Sequence, residues 1–87
     1  MHERALIEDV VRKLETVALE EGGRRVTRVC VRLGALSHFT PEHFREHFED
    51  ATRGTLAEGA EVDAVPEDDT TAPHADGVVV EAVELEL

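Results

Sequence analysis

The first three residues of the chain bring several metal-binding groups together. Met1 carries an α-amine, His2 adds a backbone amide and an imidazole, and Glu3 adds a carboxylate or its own amide. Because consecutive residues supply these groups, a bound ion would close fused chelate rings. Such a tetragonal nitrogen and oxygen set suits Ni(II) or Cu(II), and its affinity should rise with pH because the ligands must lose protons. The alternative is a frayed polar terminus that binds no metal.

A second candidate is the pair His43 and His47, which are four residues apart in a predicted helix. At this spacing the two imidazoles share one helix face and could bind one metal. The string from His43 to His47 also reads H-x-x-E-H, the inverzincin protease pattern. That activity needs a third ligand, a cleft and a larger body than 87 residues show. The pattern alone therefore favours a solvated polar helix face.

The segment 66–77, PEDDTTAPHADG, contains further metal-capable side chains, namely Asp68, Asp69, His74 and Asp76. Their spacing matches no metal-binding template such as the EF-hand loop. The segment is polar and has two prolines and no hydrophobic period, which predicts a solvated loop.

Cys30 is the single cysteine, so neither an internal disulfide nor a cysteine-only metal cluster can form. No histidine can be paired with Cys30 from the sequence. There is no glycine-rich phosphate loop and no nucleophile elbow either. A nucleophilic role for Cys30 is therefore not indicated. The roles of Cys30, His38 and His74 stay open.

These groups are carried by five predicted elements in the order α-β-α-β-β. Apolar residues at a 3.6-residue spacing predict a helix over 3–20, and alternation predicts a strand over 24–33. Thr40 is a predicted N-cap, with Pro41 at N1 and Phe39 and Phe44 placed for a hydrophobic staple. The second helix should run to about Thr52.

Two strands follow, over 60–65 and 78–87. In the last strand the apolar phase switches, which predicts a β-bulge near Glu81-Ala82. The β-α-β unit predicts parallel strands, and we expect the last two strands to form an antiparallel hairpin. The fold class is α/β (α+β): one domain over 1–87, with a three-stranded mixed sheet and two helices on one face.

Charge is distributed unevenly along the chain. The net charge is -11, of which residues 1–40 contribute +1 and residues 41–87 contribute -12. Such a surface disfavours nucleic acid and anionic membranes and leaves cationic partners or metal ions open. No signal peptide is visible, and a lone cysteine is typical of a reducing compartment. We therefore expect a cytoplasmic protein, either as a monomer or as a homodimer.

Several strings together resemble the HypA/HybF family of nickel chaperones for nickel–iron hydrogenase maturation. They are the M-H-E start, RVTRVCVRLGALS over 25–37, the helix opened by Pro41-Glu42, and TRGTLAEGAEV over 52–62. The resemblance covers residues 1 to about 66 and resumes in the final strand, VVVEAVELEL.

The resemblance implies a small nickel-binding domain whose ligands are the N-terminal amine of Met1, His2 and Glu3. Such a protein hands Ni(II) toward a hydrogenase large subunit precursor, usually with the GTPase HypB as partner, and some relatives serve urease. Family members carry a zinc-binding insertion with two C-x-x-C pairs between the last two strands. Here residues 66–77 stand in that place, so no structural zinc is expected. The family's nickel motif does not include His38, His43 or His47, which are either additional ligands or incidental.

An alternative function remains open at this point. The chain could be a non-metal interaction module that binds a maturation partner through its acidic half. Such a module would bind Ni(II) no better than a peptide does, and its association with a cationic surface would be sensitive to salt.

Overall fold

Two helices lie on one side of the molecule and pack against each other. The computed structural model describes residues 3–87, with α1 at Glu3–Glu21 and α2 at Pro41–Ala51. The inward stripe of α1 consists of buried apolar side chains: Leu6, Ile7, Val10, Val11, Leu14 and Ala18. From α2 the buried side chains are Phe44 and Phe48. Both predicted helices are confirmed to within one residue at each end.

The sheet has three strands, β1 at Arg25–Leu33, β2 at Glu61–Pro66 and β3 at Val78–Glu86, in the order β2-β1-β3. The pairing of β1 with β2 is parallel, as predicted, and that of β1 with β3 is antiparallel. The expected hairpin between the last two strands is therefore wrong. The reason is that β1 carries four fully buried side chains, Val26, Val29, Val31 and Leu33, and such a strand gains most by being flanked on both edges.

Irregular register in the β1–β3 pair keeps the apolar side chains on one face. Cys30 pairs with Ala82 and Val31 pairs with Val80, so Glu81 is the extra residue of a bulge, as predicted. A second shift, which the sequence did not suggest, leaves Thr27 as the extra residue of β1. It explains why Val26 is buried where simple alternation predicts Thr27.

The core lies between the helices and one face of the sheet. Leu14, Leu33, Phe44 and Phe48 are its largest buried members, and Ala57 from the segment after α2 closes one end. Its only aromatic side chains are phenylalanines, as the composition requires. None of the helices in residues 3–87 is long and apolar enough to cross a membrane.

The segment 67–77 links the two edge strands by passing over the end of β1. At its first residue the Glu67 N–H donates to the Leu33 carbonyl at 2.8 Å, and at its last the Gly77 carbonyl accepts from Gly34 N–H at 2.9 Å. Gly34 is required here because a Cβ at this position would lie 2.2 Å from the Ala75 carbonyl oxygen. Both ends of the segment are thus attached to neighbouring residues of the central strand.

Candidate metal centre

The three residues predicted to bind nickel lie at the start of the chain. Met1 and His2 fall outside the described residues. Glu3 is the first residue of α1 and supplies an acidic side chain in its first turn, where a negative charge interacts favourably with the helix dipole. Its side chain is 38% exposed and points toward the N-terminal half of α2.

Packing of α1 against α2 brings Glu3 together with both histidines of the H-x-x-E-H string. Glu3 Oε2 lies 3.2 Å from His43 Nε2 and 3.7 Å from His47 Nε2. The two Nε2 atoms lie 2.8 Å apart. Within residues 3–87 these side chains form the one group of three whose potential ligand atoms approach within 4.8 Å of one another. The expected plain helix face is therefore part of a three-residue cluster.

Local sequence at the start of α2 fixes the position of the histidines. Thr40 has an extended backbone, and its Oγ1 accepts a hydrogen bond from His43 N–H at 3.1 Å, which confirms the predicted N-cap. Pro41 occupies the first turn with a preset φ. His43 is thus the third residue of a capped helix, and His47 lies one turn further on the same face.

The ring of Phe39 packs against the same turn of α2. It meets Phe44 edge-on at a centroid distance of 5.5 Å, which confirms the hydrophobic staple. It also meets the rings of His43 and His47, at centroid distances of 5.6 and 6.4 Å. Phe39 is buried, so one side of the histidine pair rests on an apolar surface while the other faces solvent.

The acidic segment 67–77 does not form a comparable group. Asp69 Oδ1 accepts hydrogen bonds from the hydroxyl and the N–H of Thr71, at 2.7 and 2.9 Å. These bonds lower the pKa of Asp69, the hydroxyl contributing most. His74 is exposed and has a positive φ of 63°. The prediction of a solvated loop is consistent with this arrangement.

The helix-free face of the sheet carries paired charges around a shallow depression lined by Arg28, Cys30, Asp63, Ala82 and Glu84. Arg28 donates to Asp63 through Nε at 2.9 Å and through Nη2, and Arg32 donates to Glu81. The hydrogen bond to Asp63 is the main cause of a raised pKa for Arg28, and that to Glu81 acts likewise on Arg32. Cys30 lies half-buried between these pairs as a free thiol.

Comparison with known proteins identifies the family. The family model described as "Hydrogenase/urease nickel incorporation, metallochaperone, hypA" matches residues 1–72. The match covers most of the chain and includes Glu3, His43 and His47. The chain belongs to the HypA family.

Curated relatives support the same assignment. The hydrogenase maturation factor HypA of Methylocella silvestris is 48% identical over 63 residues, which are 72% of this chain and 56% of that protein. HypA of Acidithiobacillus ferrooxidans is 43% identical over 65 residues, 75% of this chain and 58% of that protein. The chain therefore spans less than two thirds of the length of these relatives.

Solved structures show the same fold at low sequence identity. The solution structure of the Ni metallochaperone HypA from Helicobacter pylori superposes with a TM-score of 0.80 at 16% identity. The superposition covers 99% of this chain and 98% of that one. A second HypA solution structure gives a TM-score of 0.73, also at 16% identity. The α-β-α-β-β arrangement is thus shared even where most side chains differ.

Proposed function

We propose that this protein is a nickel-binding metallochaperone for maturation of nickel–iron hydrogenase and not an enzyme. The observation that carries the proposal is the family match over residues 1–72, which begins at the Met1-His2-Glu3 sequence. In this proposal Ni(II) is cargo, bound by the α-amine of Met1, the amide and imidazole of His2, and Glu3. The ion would pass to a hydrogenase large subunit precursor, with a HypB-type GTPase as partner.

The segment between β2 and β3 defines how this chain differs from the relatives that the resemblance describes. In the proposal, residues 66–77 replace a zinc-binding insertion within one domain of residues 1–87. With Cys30 as the single cysteine, the chain has no pair of thiols for such a site. The protein is accordingly proposed to work without structural zinc. Circular dichroism of protein freed of metal by a chelator tests this, and loss of the fold on chelation would contradict it, because structural zinc stabilises the fold.

The decisive experiment is a calorimetric Ni(II) titration of protein with a free N-terminus. We expect a tight binding event in the wild type that His2→Ala weakens at least about tenfold, since loss even of a residue that only supports a ligand costs about that much. An N-terminal extension that blocks the α-amine should have the same effect. His74→Asn is the matched control, because His74 is exposed and asparagine tolerates its positive φ. Equal affinity in all four proteins would exclude the N-terminal ligand set.

The enzyme to which the nickel is delivered can be identified by complementation in cells. Wild-type protein should restore hydrogenase activity to a strain that lacks its own HypA, and His2→Ala should not. Parallel measurement of urease separates hydrogenase maturation from urease maturation. Restoration of hydrogenase by His2→Ala to the wild-type level would show that nickel delivery does not depend on the N-terminus.

The acidic segment supports a second candidate function. Asp68, Asp69 and Asp76 are exposed, whereas the nearby Arg28 and Arg32 are occupied by carboxylates of the sheet. A module that binds a cationic partner surface through these aspartates would associate less tightly as salt rises. Binding to a purified maturation partner at two salt concentrations, with Asp68→Asn/Asp76→Asn as variant, distinguishes this function. An association unchanged by both salt and variant would exclude it.

A further inference from the structure

The geometry points to a metal site built from the side chains of Glu3, His43 and His47, which takes a divalent transition ion such as Ni(II) or Zn(II). It needs neither the α-amine nor His2, so it does not depend on the proposed N-terminal site, although Glu3 is common to both. Two imidazoles and one carboxylate are ligands that zinc and nickel accept.

The three ligand atoms are spaced as they would be around one ion. A triangle with sides of 2.8, 3.2 and 3.7 Å has a circumradius of about 1.9 Å. Zinc holds imidazole nitrogen and carboxylate oxygen at roughly 2.0–2.2 Å. An ion less than about 1.1 Å out of the plane of the triangle would therefore be at bonding distance from all three atoms, with its remaining positions open to water.

Hydrogen bonding alone does not account for the cluster. A ring nitrogen carries either one proton or one lone pair, and an ionised carboxylate only accepts. If both Nε2 atoms donate to Glu3, two N–H groups confront each other across 2.8 Å. If His47 donates to His43, the His43 Nε2 atom has no proton and its contact with the Glu3 carboxylate at 3.2 Å is between two acceptors. If His43 donates to His47, the unprotonated His47 Nε2 faces the same carboxylate at 3.7 Å. One contact is left repulsive in each arrangement, whereas a cation attracts all three.

The ligands are held before any ion arrives. The Thr40 cap fixes the turn that carries His43, and the buried ring of Phe39 supports both imidazoles. Packing of α1 on α2 brings the start of α1, with Glu3, beside the two imidazoles. Because the imidazoles lose little further freedom on binding, the entropic cost of closing the site is reduced.

An ion can reach the cluster from solvent. The side chains of Glu3, His43 and His47 are 38, 37 and 45% exposed. A solvent-open depression adjoins His47 and is lined by Arg4, Ile7, Glu8, His47, Asp50 and Ala51. Its two carboxylates, Glu8 and Asp50, are paired with Arg4 and Arg53, so the depression offers an open path to His47 without a net charge that repels a cation.

The test uses the full chain with His2→Ala as background, which removes the proposed N-terminal site. Ni(II) and Zn(II) are titrated into this variant, into His2→Ala with His43→Ala/His47→Ala, and into His2→Ala with His74→Asn as matched control. Loss of one supporting residue costs about 10–100-fold in metal affinity, so loss of two ligands should cost at least about 100-fold. The control should bind as the background does. Circular dichroism establishes that each variant is folded.

A second measurement needs no variant at the site. In His2→Ala protein, Zn(II) should shift the imidazole ¹⁵N resonances of His43 and His47 and leave those of His38 and His74 in place. Equal affinity with and without the histidine pair, or shifts at His38 and His74 as large as those at the pair, would overturn the site. The failure of the N-terminal proposal looks different: His2→Ala would then bind as tightly as wild type, and the histidine pair would account for all binding.

Discussion

Two regions of this molecule contain metal-capable side chains at similar density, yet only one brings them together. The N-terminal ends of α1 and α2 place Glu3, His43 and His47 within 4.8 Å of one another. The segment 67–77 has three aspartates and His74, but Asp69 is occupied by Thr71 and His74 lies exposed. The difference shows that convergence depends on the packing of the two helices and on the capped start of α2, because residue type alone does not supply it.

The largest expected loss of stability comes from a substitution that removes apolar packing beneath the histidine pair. Phe44 is fully buried and contacts the rings of Phe39 and Phe48. Phe44→Ala should lower the free energy of unfolding by about 3–5 kcal/mol through the lost transfer energy and the cavity, which is a large share of the stability of a small domain. Urea denaturation measures it.

Phe44→Leu is the matched control and should lose much less, because most of the apolar volume is kept. If Phe44→Ala leaves the imidazole resonances of His43 and His47 unchanged in a folded protein, the packing of α2 does not position the pair.

A smaller effect is expected where the loop meets the central strand. A Cβ at Gly34 would lie 2.2 Å from the Ala75 carbonyl oxygen, and the backbone must shift to admit it. Gly34→Ala should therefore lower the free energy of unfolding by about 1–3 kcal/mol, while the Glu3, His43 and His47 resonances stay in place. Thermal unfolding and NMR spectra together test both parts.

Gly77 is the matched control for Gly34, because it belongs to the same contact yet a Cβ there meets nothing closer than 3.8 Å. Gly77→Ala should be close to neutral. Equal losses at the two glycines would mean that the close approach at Gly34 is not the cause.

A third change acts on the cap that orients His43. Thr40→Ala removes the acceptor for His43 N–H, which should cost about 1 kcal/mol and loosen the first turn of α2. Thr40→Ser keeps the hydroxyl and should keep most of the stability. Hydrogen exchange of the His43 amide provides the local measurement, and equal exchange in the alanine and serine variants would contradict the role of the cap.

The smallest effect concerns the loop alone. The Thr71 hydroxyl lowers the pKa of Asp69, so Thr71→Val should raise that pKa toward its ordinary value, while Thr71→Ser should not. Because the pKa is lowered in the folded state, the associated stability is present above the unfolded pKa and is lost as pH falls through the folded pKa. Thr71→Val should lessen that acid dependence. A ¹³C carboxyl titration showing no change in Asp69 would contradict the assignment.

Sequence patterns predicted the features of the fold that can be seen within a short stretch of the chain. The 3.6-residue period gave the bounds of α1, and Thr40, Pro41 and Phe44 gave the start of α2. The phase switch in the last strand located the bulge at Glu81. The helix bounds and the cap rest on contacts between residues that are close in the chain, and the bulge was visible in the alternation of apolar residues along a single strand.

What the sequence did not reveal depends on residues far apart in the chain. Pairing of β3 with β1, rather than with β2, follows from the burial of Val29 and Val31 between two neighbours. The approach of Glu3 to His43 follows from the packing of two helices forty residues apart, for which no local pattern exists. One signal was available: the i,i+4 histidines lie at the start of α2, and a carboxylate lies at the start of α1.

The 67–77 segment meets the end of the central strand at its two ends, through Leu33 and Gly34, and also at Ala75. Both ends are fixed by backbone hydrogen bonds to the central strand, so the path between them can lengthen or shorten while the three strands keep their register. Closing a longer flexible path costs only about 0.6 kcal/mol for each doubling of its length. A connection of a different length between these attachment points is therefore compatible with the same three-stranded sheet.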